Sequence, residues 1–318
     1  MGYLFALLAA LLFGTNGSVT KVIIEAGLTP AQLTFFRVLT VCLIAAVWLA
    51  VRDRSAFRLS RRQLAVMALL GVAGVALLQW TYAVAISLLP VGIALLLEYL
   101  AVLAVAVVAR VFFAERVKGR LWVAIGLVLV GLALVAQVGR GGDLSVVGVL
   151  FGLAAAATLT IYFIVGERQV TATSPMAVAF WSMGFATVFW AFFSAWWEVE
   201  PALLVERASL GGGLESVVVP LWVLLAWNGV LGSFAPFLLS FLALKHLRAT
   251  AAGIASSAEV LFAFAVAWLW LGEALDALQL TGAVIVLVAI VLAQTARAGG
   301  AVDADLASQP MARRDTLA

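Results

Sequence analysis

The sequence is dominated by ten apolar runs of roughly 20 residues each, the length of helix that crosses the hydrocarbon core of a bilayer. Short loops separate the runs and hold most of the charge. The chain is 65% hydrophobic and 11% charged, whereas a soluble domain is about half apolar and about a quarter charged. We therefore predict an all-α membrane protein with ten transmembrane helices. The predicted spans cover residues 3–24, 31–51, 64–86, 90–113, 121–138, 146–165, 175–197, 218–241, 249–271 and 278–296.

The first run, MGYLFALLAALLFG, is similar in composition to the apolar part of a secretory signal peptide. It has no basic residue before the apolar core, and apolar sequence resumes after Gly17. We therefore interpret this run as the first span rather than as a cleaved segment.

Lysine and arginine are distributed unevenly between the two sides of the predicted bundle. The loops after even-numbered spans, together with the C-terminal tail, hold 15 of the 19 basic residues, whereas the loops after odd-numbered spans hold Arg140 and Arg207. Cytoplasmic loops carry an excess of Lys and Arg. We therefore predict a multi-pass protein of the plasma (inner) membrane with cytoplasmic N- and C-termini. The acidic loop at 198–217 should face outward, and the tail at 298–318 should be disordered in the cytoplasm.

The two halves of the chain resemble each other. GYLFALLAA at 2–10 matches GVLFGLAAA at 148–156 with six identities in nine positions, and Glu115 matches Glu273 in a later set of pairs at an offset of 158. Because each copy has five spans, an odd number, the second copy must enter the membrane from the opposite side. The sequence thus predicts a five-plus-five inverted repeat, with the first unit at 1–139 and the second at 140–297. This arrangement is typical of transporters with a central site between the repeats.

The residue inventory gives no support to several other function classes. A net charge of +3 without a basic and aromatic strip argues against nucleic-acid binding. Cys42 and His246 are the only cysteine and histidine, so we expect no disulfide framework, metal site or cofactor. The sequence has no phosphate-binding P-loop and no nucleophile–histidine pair, so we do not expect an enzyme. The expected partners are a small-molecule substrate and the lipid bilayer, and a homodimer is left open.

Five segments of the chain carry a family resemblance: FGTNGSVTK at 13–21, FFRVLT at 35–40, FFAERV at 112–117, ALKHLRATAAGI at 243–254 and AEVLFAFAVAWLWLGEAL at 258–275. Together they resemble the drug/metabolite transporter superfamily, in particular its EamA-type branch. The resemblance covers nearly all of residues 3–296. It implies movement of a small metabolite through a cavity between the halves, most often efflux, and LPVGIALLLEYLAV at 89–102 is most similar to amino-acid exporters. Family members commonly have proline where this chain has Val102 and Val260, so the sequence gives no basis for proline kinks there.

Two glutamates lie deep within predicted spans. At 1.5 Å per residue, Glu98 is about 12 Å from the start of span four and Glu259 about 13 Å from the start of span nine. Both therefore fall near the midplane of a hydrocarbon core about 30 Å thick. Intramembrane carboxylates usually face a bundle interior or a water-filled cavity, so we predict that both bind substrate or protons. The alternative is a structural role in holding helices together, which has more weight for Glu259 because family members commonly have Glu there.

Polar and aromatic residues in other spans complete the predicted binding site. They are Asn16 in span one, Gln79, Trp80 and Tyr82 in span three, Tyr162 in span six and Asn228 in span eight. Tight helix packing is the alternative for Asn16, which stands between Gly14 and Gly17. We interpret Arg37 as a structural hydrogen-bonding residue. The tryptophans of span seven are interpreted as a lipid-facing belt, and they are Trp181, Trp190, Trp196 and Trp197.

The leading functional interpretation is a secondary transporter that exports amino acids or similar small metabolites by alternating access. A proton gradient is the expected driving force, with uniport and exchange as open alternatives. Within transporters, the rival substrate is an organic cation or drug held by Glu98 and aromatic rings. Outside them, the rival class is a channel or receptor-like membrane protein without coupled transport.

Overall fold

The computed structural model describes residues 1–112, 119–135, 144–244, 246–247 and 254–295. Within these ranges nine helices are long and apolar enough to cross a membrane, and a shorter apolar helix stands at the place of the fifth predicted span. We number the ten helices α1 (Gly2–Glu25), α2 (Pro30–Arg52), α3 (Arg61–Leu88), α4 (Val91–Phe112), α5 (Arg120–Val135), α6 (Val146–Ala172), α7 (Pro175–Phe193), α8 (Leu221–Ser240), α9 (Ile254–Leu271) and α10 (Ala277–Gln294). Each predicted span corresponds to one helix, while the tail at 298–318 lies outside the described residues.

The same capping arrangement begins α2 and α7. The hydroxyl of Thr29 accepts a hydrogen bond of 3.2 Å from the backbone N–H of the third residue of α2, and Pro30 is the first helical residue. The hydroxyl of Ser174 accepts the equivalent bond of 3.3 Å in α7, where Pro175 is first. A hydroxyl cap followed by proline satisfies an otherwise unpaired N–H and costs no helical hydrogen bond. The two caps occupy matching positions in the two halves of the chain.

Helix packing follows a two-fold exchange of the halves. Helix α1 packs on α8 and α9 of the second half, and α6 packs on α3 and α4 of the first. Helix α2 packs on α7, and α5 packs on α10. If each helix of one repeat is exchanged for the helix at the same position in the other repeat (α1 for α6, α2 for α7 and so on), the same set of helix–helix contacts results.

Two glycine contacts show the same symmetry at the level of single residues. A Cβ on Gly232 of α8 would lie 1.8 Å from Asn16 Oδ1 on α1, and a Cβ on Gly74 of α3 would lie 3.1 Å from the backbone of Tyr162 on α6. Gly232 follows Gly74 by 158 residues and Tyr162 follows Asn16 by 146, which are the offsets of the sequence repeat. Each contact is therefore the counterpart of the other, as an inverted repeat requires.

Four helices depart from regular α geometry at matching places. Helices α3 and α8 contain π turns at Leu70–Ala76 and Val230–Phe234. Helix α4 is interrupted at Leu100 and α9 at Ser257, where hydrogen bonds span three residues instead of four. These interruptions form without proline, since positions 102 and 260 are both valine. Broken helices near the midplane place unpaired backbone groups at the binding sites of many transporters.

The segment between α7 and α8 folds over one end of the bundle. It contains a short helix, Pro201–Val205, and a two-stranded antiparallel hairpin of β1 (Arg207–Ser209) and β2 (Val218–Pro220). The Trp270 indole N–H at the end of α9 donates to the Leu210 carbonyl at 2.8 Å. The predicted acidic loop is thus an ordered cover on this end of the bundle.

Candidate functional site

The two intramembrane carboxylates come from opposite repeats and lie beside the helix interruptions. Glu98 precedes the break at Leu100 by two residues, and Glu259 follows the break at Ser257 by two. The two carboxylates interact electrostatically with each other and with Arg37 of α2, and Tyr82 of α3 belongs to the same cluster. When both carboxylates are ionised the group carries one excess negative charge, and one bound proton makes it neutral.

The hydrogen bonding of the two carboxylates differs. Glu259 Oε2 accepts a hydrogen bond of 2.6 Å from the Tyr99 hydroxyl. Glu98 Oε2 is buried and has no hydrogen-bond partner among the described residues. An unpaired buried acceptor costs about 1–3 kcal/mol, and more when it is charged. Of the two carboxylates, Glu98 is therefore the one with an unsatisfied hydrogen-bond acceptor.

A second polar network joins α1, α2 and α8 next to this cluster. The Asn228 amide donates to Asn16 Oδ1 at 3.0 Å and to Thr20 Oγ1 at 3.1 Å. The Ser233 hydroxyl donates to the Asn228 backbone carbonyl at 3.0 Å, and Arg37 Nε donates to the Ser233 hydroxyl at 2.5 Å. Asn16 and Asn228 are thus hydrogen-bonded to each other. The hydrogen bond from Arg37 agrees with the structural role predicted for it.

Glycines of α1 make room for the site. A Cβ on Gly14 would lie 2.8 Å from the backbone carbonyl of Glu259, and a Cβ on Gly17 would lie 3.2 Å from the Tyr82 hydroxyl. A larger residue at position 14 would push α1 away from the backbone of α9, and one at position 17 would collide with Val91 of α4, which would lie 2.5 Å from the added Cβ. The glycines that flank Asn16 in the sequence therefore allow the backbone of Glu259 and the hydroxyl of Tyr82 to approach α1 closely.

The remaining predicted site residues pack in different ways. Gln79 Oε1 is buried without a hydrogen-bond partner among the described residues. Trp80 packs against the rings of Phe151 at 5.5 Å and Trp190 at 5.8 Å, and Tyr162 packs against Phe237 at 6.4 Å. The lipid-belt prediction is wrong for Trp190, which is 4% exposed. Its indole N–H donates to a backbone carbonyl of α3, so the ring is part of the bundle core.

An ion pair closes the bundle on the side covered by the α7–α8 segment. Lys21 near the end of α1 donates to Glu273, which lies two residues after the end of α9. The other carboxylate oxygen of Glu273 accepts the Val91 backbone N–H at 2.8 Å, at the start of α4. Glu273 thus ties the end of α9 to α1 and α4. Its predicted counterpart Glu115 lies outside the described residues.

Two cavities lie at the ends of the bundle. One, of about 180 Å³, lies between the end of α1, the start of α8 and the α7–α8 segment. The other, of about 360 Å³, lies between the start of α3 and the end of α6, with Arg62 and Arg168 among its lining residues. None of the eight predicted site residues is among the described residues that line either cavity.

Comparison with known proteins identifies the family. The EamA-like transporter family model matches residues 1–137 and again residues 146–295. The chain belongs to the EamA-like transporter family. This match confirms the fold class predicted from the sequence, an all-α membrane protein built from two five-helix repeats.

Individual relatives of this EamA-like protein are distant. An uncharacterised transporter of Archaeoglobus fulgidus is 26% identical over 213 residues, covering 67% of this chain and 70% of the relative. The uncharacterised transporter YdfC of Bacillus subtilis is 24% identical over 259 residues, covering 81% of this chain and 80% of the relative. A solved crystal structure with 16% identity aligns with a TM-score of 0.60, over 96% of this chain and 99% of the other, and shows the same fold.

Sequence reasoning did not identify two members of the polar networks in this EamA-like protein, Tyr99 and Thr20, and it gave Ser233 only as a polar residue that could line the cavity, without its partner. Tyr99 directly follows Glu98, and a hydroxyl beside an intramembrane carboxylate is a sequence signal from which Tyr99 could have been identified. Thr20 lies one turn from Asn16, and Ser233 lies in the π turn of α8. Their partners are at least 160 residues away in the chain, so only the tertiary structure could reveal the pairs.

Proposed function

We propose that the protein is a secondary transporter that exports amino acids or similar small metabolites across the plasma membrane, with both termini in the cytoplasm. Alternating access coupled to a proton gradient would drive the export. The observation that carries the proposal is the pair formed by Glu98 and Glu259, which come from opposite repeats and lie beside broken helices. Transporters with inverted repeats bind substrate and coupling ions at such a place.

The charges around the pair favour a zwitterionic substrate. Glu98 and Glu259 can accept hydrogen bonds from an ammonium group, which has three donors and no acceptor. Arg37 in the same cluster can attract the carboxylate of an amino acid. An organic cation would gain the attraction of the carboxylates but would be repelled by Arg37. Drug or organic-cation efflux is therefore the second candidate.

Substitution of Glu98 tests the proposal. The substrate is first found by a growth-toxicity screen over amino acids, dipeptides and cationic drugs, comparing overproducing cells with cells that lack the protein. Transport is then measured in proteoliposomes after a pH jump. Because Glu98→Gln keeps the size of the side chain but removes its charge and its proton exchange, we expect transport to fall by about tenfold or more, which corresponds to about 1.4 kcal/mol. The proposal would also be supported if transport by Glu98→Gln no longer depended on the pH gradient while exchange of substrate across the membrane was retained.

Glu215→Gln is the matched control, because Glu215 is exposed in the α7–α8 segment. It should transport at the wild-type rate. Equal rates and equal pH profiles for wild type and Glu98→Gln, at matched protein levels, would show that Glu98 only holds helices together.

A further inference from the structure

Tyr99 occupies a place where the two repeats meet. It is the last helical residue before the interruption in α4 and is the neighbour of Glu98 in the chain. Its hydroxyl donates to Glu259 Oε2 at 2.6 Å and lies 3.5 Å from the Ser256 carbonyl at the interruption in α9. One side chain of the first repeat thus contacts both the carboxylate and the broken backbone of the second.

This contact makes the two carboxylates unequal. The oxygen of Glu259 that faces the first repeat is occupied by the Tyr99 hydroxyl. The buried oxygen of Glu98 has no partner in the described part of the chain. A hydrogen bond to a carboxylate fixes its orientation and satisfies one of its acceptor sites. The structure therefore contains one anchored carboxylate and one with an unsatisfied oxygen, on adjacent helices.

We propose that Tyr99 is a positioning residue of the transport site, which anchors Glu259 and leaves Glu98 as the carboxylate that exchanges the proton or binds the amino group of the substrate. The assignment rests on the proposed transport function and deepens it by giving the two carboxylates different roles. Tyr99 acts through Glu259 and need not touch the substrate itself.

Other ionisable groups also face Glu259 and enter the design of the test. They are Glu98 on α4, Arg37 on α2 and Tyr82 on α3. On α1, Lys21 is held by Glu273 at the end of the bundle. Because several charges act on the pair, a change in overall activity would not assign a role to Tyr99. The test must observe the two carboxyl groups separately.

Infrared difference spectroscopy during a pH titration provides that separation without a known substrate. Purified protein in lipid nanodiscs is titrated, and the C=O bands of protonated carboxyl groups are assigned by their loss in Glu98→Gln and Glu259→Gln. Because Tyr99→Phe removes the hydroxyl that contacts Glu259, we expect this variant to shift the frequency and the pH midpoint of the Glu259 band by more than those of the Glu98 band. Tyr3→Phe is the control, because Tyr3 is 59% exposed, and it should leave both bands unchanged.

The reverse measurement works even where Tyr99→Phe does not fold. The C–O stretching band of Tyr99 is identified by its absence in Tyr99→Phe or, in the wild type, by isotope labelling of tyrosine. This band should shift in Glu259→Gln and stay in place in Glu98→Gln. In the proteoliposome assay, Tyr99→Phe should change the pH profile of transport and reduce the rate less than Glu98→Gln does.

The outcomes separate this assignment from the proposed function. An unchanged Glu259 band in Tyr99→Phe, or an equal shift of both bands, would overturn the role of Tyr99 even if Glu98→Gln abolishes transport. Wild-type transport by Glu98→Gln would overturn the proposed function, and with it the transport role of Tyr99, even if the hydrogen bond to Glu259 is seen in the spectra.

Discussion

At the scale of single residues, one set of buried polar side chains connects the two repeats. Asn228 of the second repeat binds Asn16 and Thr20 of the first, and Ser233 accepts from Arg37. Asn228 is fully buried, and one of its acceptor sites, Oδ1, has no partner among the described residues. Interhelical hydrogen bonds in membrane proteins stabilise by about 0.6 kcal/mol on average and up to about 1.7 kcal/mol. The network therefore holds the repeats together with a few modest contributions.

We expect Asn228→Ala to lower the free energy of unfolding by about 1–2 kcal/mol, because it removes two interhelical hydrogen bonds, including the one that Asn16 Oδ1 accepts. The thermal unfolding of purified protein in detergent, followed by tryptophan fluorescence, measures this change. Ser87→Ala is the control, because Ser87 is exposed and bonds only within its own helix. If both variants unfold at the wild-type temperature, the network makes no net contribution to stability.

At the scale of helices, close contacts depend on small residues. Gly131 of α5 and Gly282 of α10 face each other so closely that a Cβ on Gly282 would lie 2.6 Å from the Gly131 carbonyl. A Cβ on Gly131 would lie 2.8 Å from the Gly282 carbonyl. Small residues at interhelical contacts let backbones approach and gain van der Waals packing where no hydrophobic effect between helices is available. The α5–α10 contact is therefore a backbone-to-backbone contact that a single methyl group would disturb.

Two glycines of α5 give a matched test of this contact. We expect Gly131→Ala to destabilise the protein by about 1–3 kcal/mol, since the added methyl meets backbone atoms that cannot move aside. Gly126→Ala should be neutral or stabilise by about 0.4–1 kcal/mol, because a Cβ there meets nothing within 4 Å and alanine restricts the unfolded chain. Thermal unfolding of the two variants in detergent gives the comparison. Equal effects of the two substitutions would contradict a close α5–α10 contact.

The helices also show what the sequence could and could not predict. Runs of apolar residues predicted all ten helices, because lipid exposure requires an apolar surface along the whole span. The match of residues 2–10 with residues 148–156, an offset of 146, relates Asn16 to Tyr162. The hydrogen bond from Tyr99 to Glu259 could not be predicted, because it depends on how α4 and α9 are rotated about their axes. The burial of Trp190 has the same cause, since an all-apolar helix carries no pattern that distinguishes its lipid face from its core face.

At the scale of the whole molecule, the two ends of the bundle differ in charge and in closure. The end with the α7–α8 segment is closed by the ion pair of Lys21 and Glu273 and covered by the hairpin of β1 and β2. At the opposite end, the Phe5 ring of α1 stacks on His246, and Arg62 and Arg168 line the larger cavity. The loops at this second end hold most of the basic residues of the sequence. These differences predict which end faces the cytoplasm.

Reporter fusions test that orientation. Because Lys and Arg are retained on the cytoplasmic side of a membrane, the 15 basic residues of the even-numbered loops and tail should lie in the cytoplasm, against two in the odd-numbered loops. In a bacterium with two membranes, an enzyme that is active only in the periplasm should be active when fused at residue 205, in the α7–α8 segment, and inactive when fused at residue 300. A fluorescent protein that matures only in the cytoplasm should give the opposite pattern. Periplasmic activity of the fusion at 300, or no activity of the fusion at 205, would show that the orientation is the opposite one. The ion pair of Lys21 and Glu273 would then lie at the cytoplasmic end of the bundle.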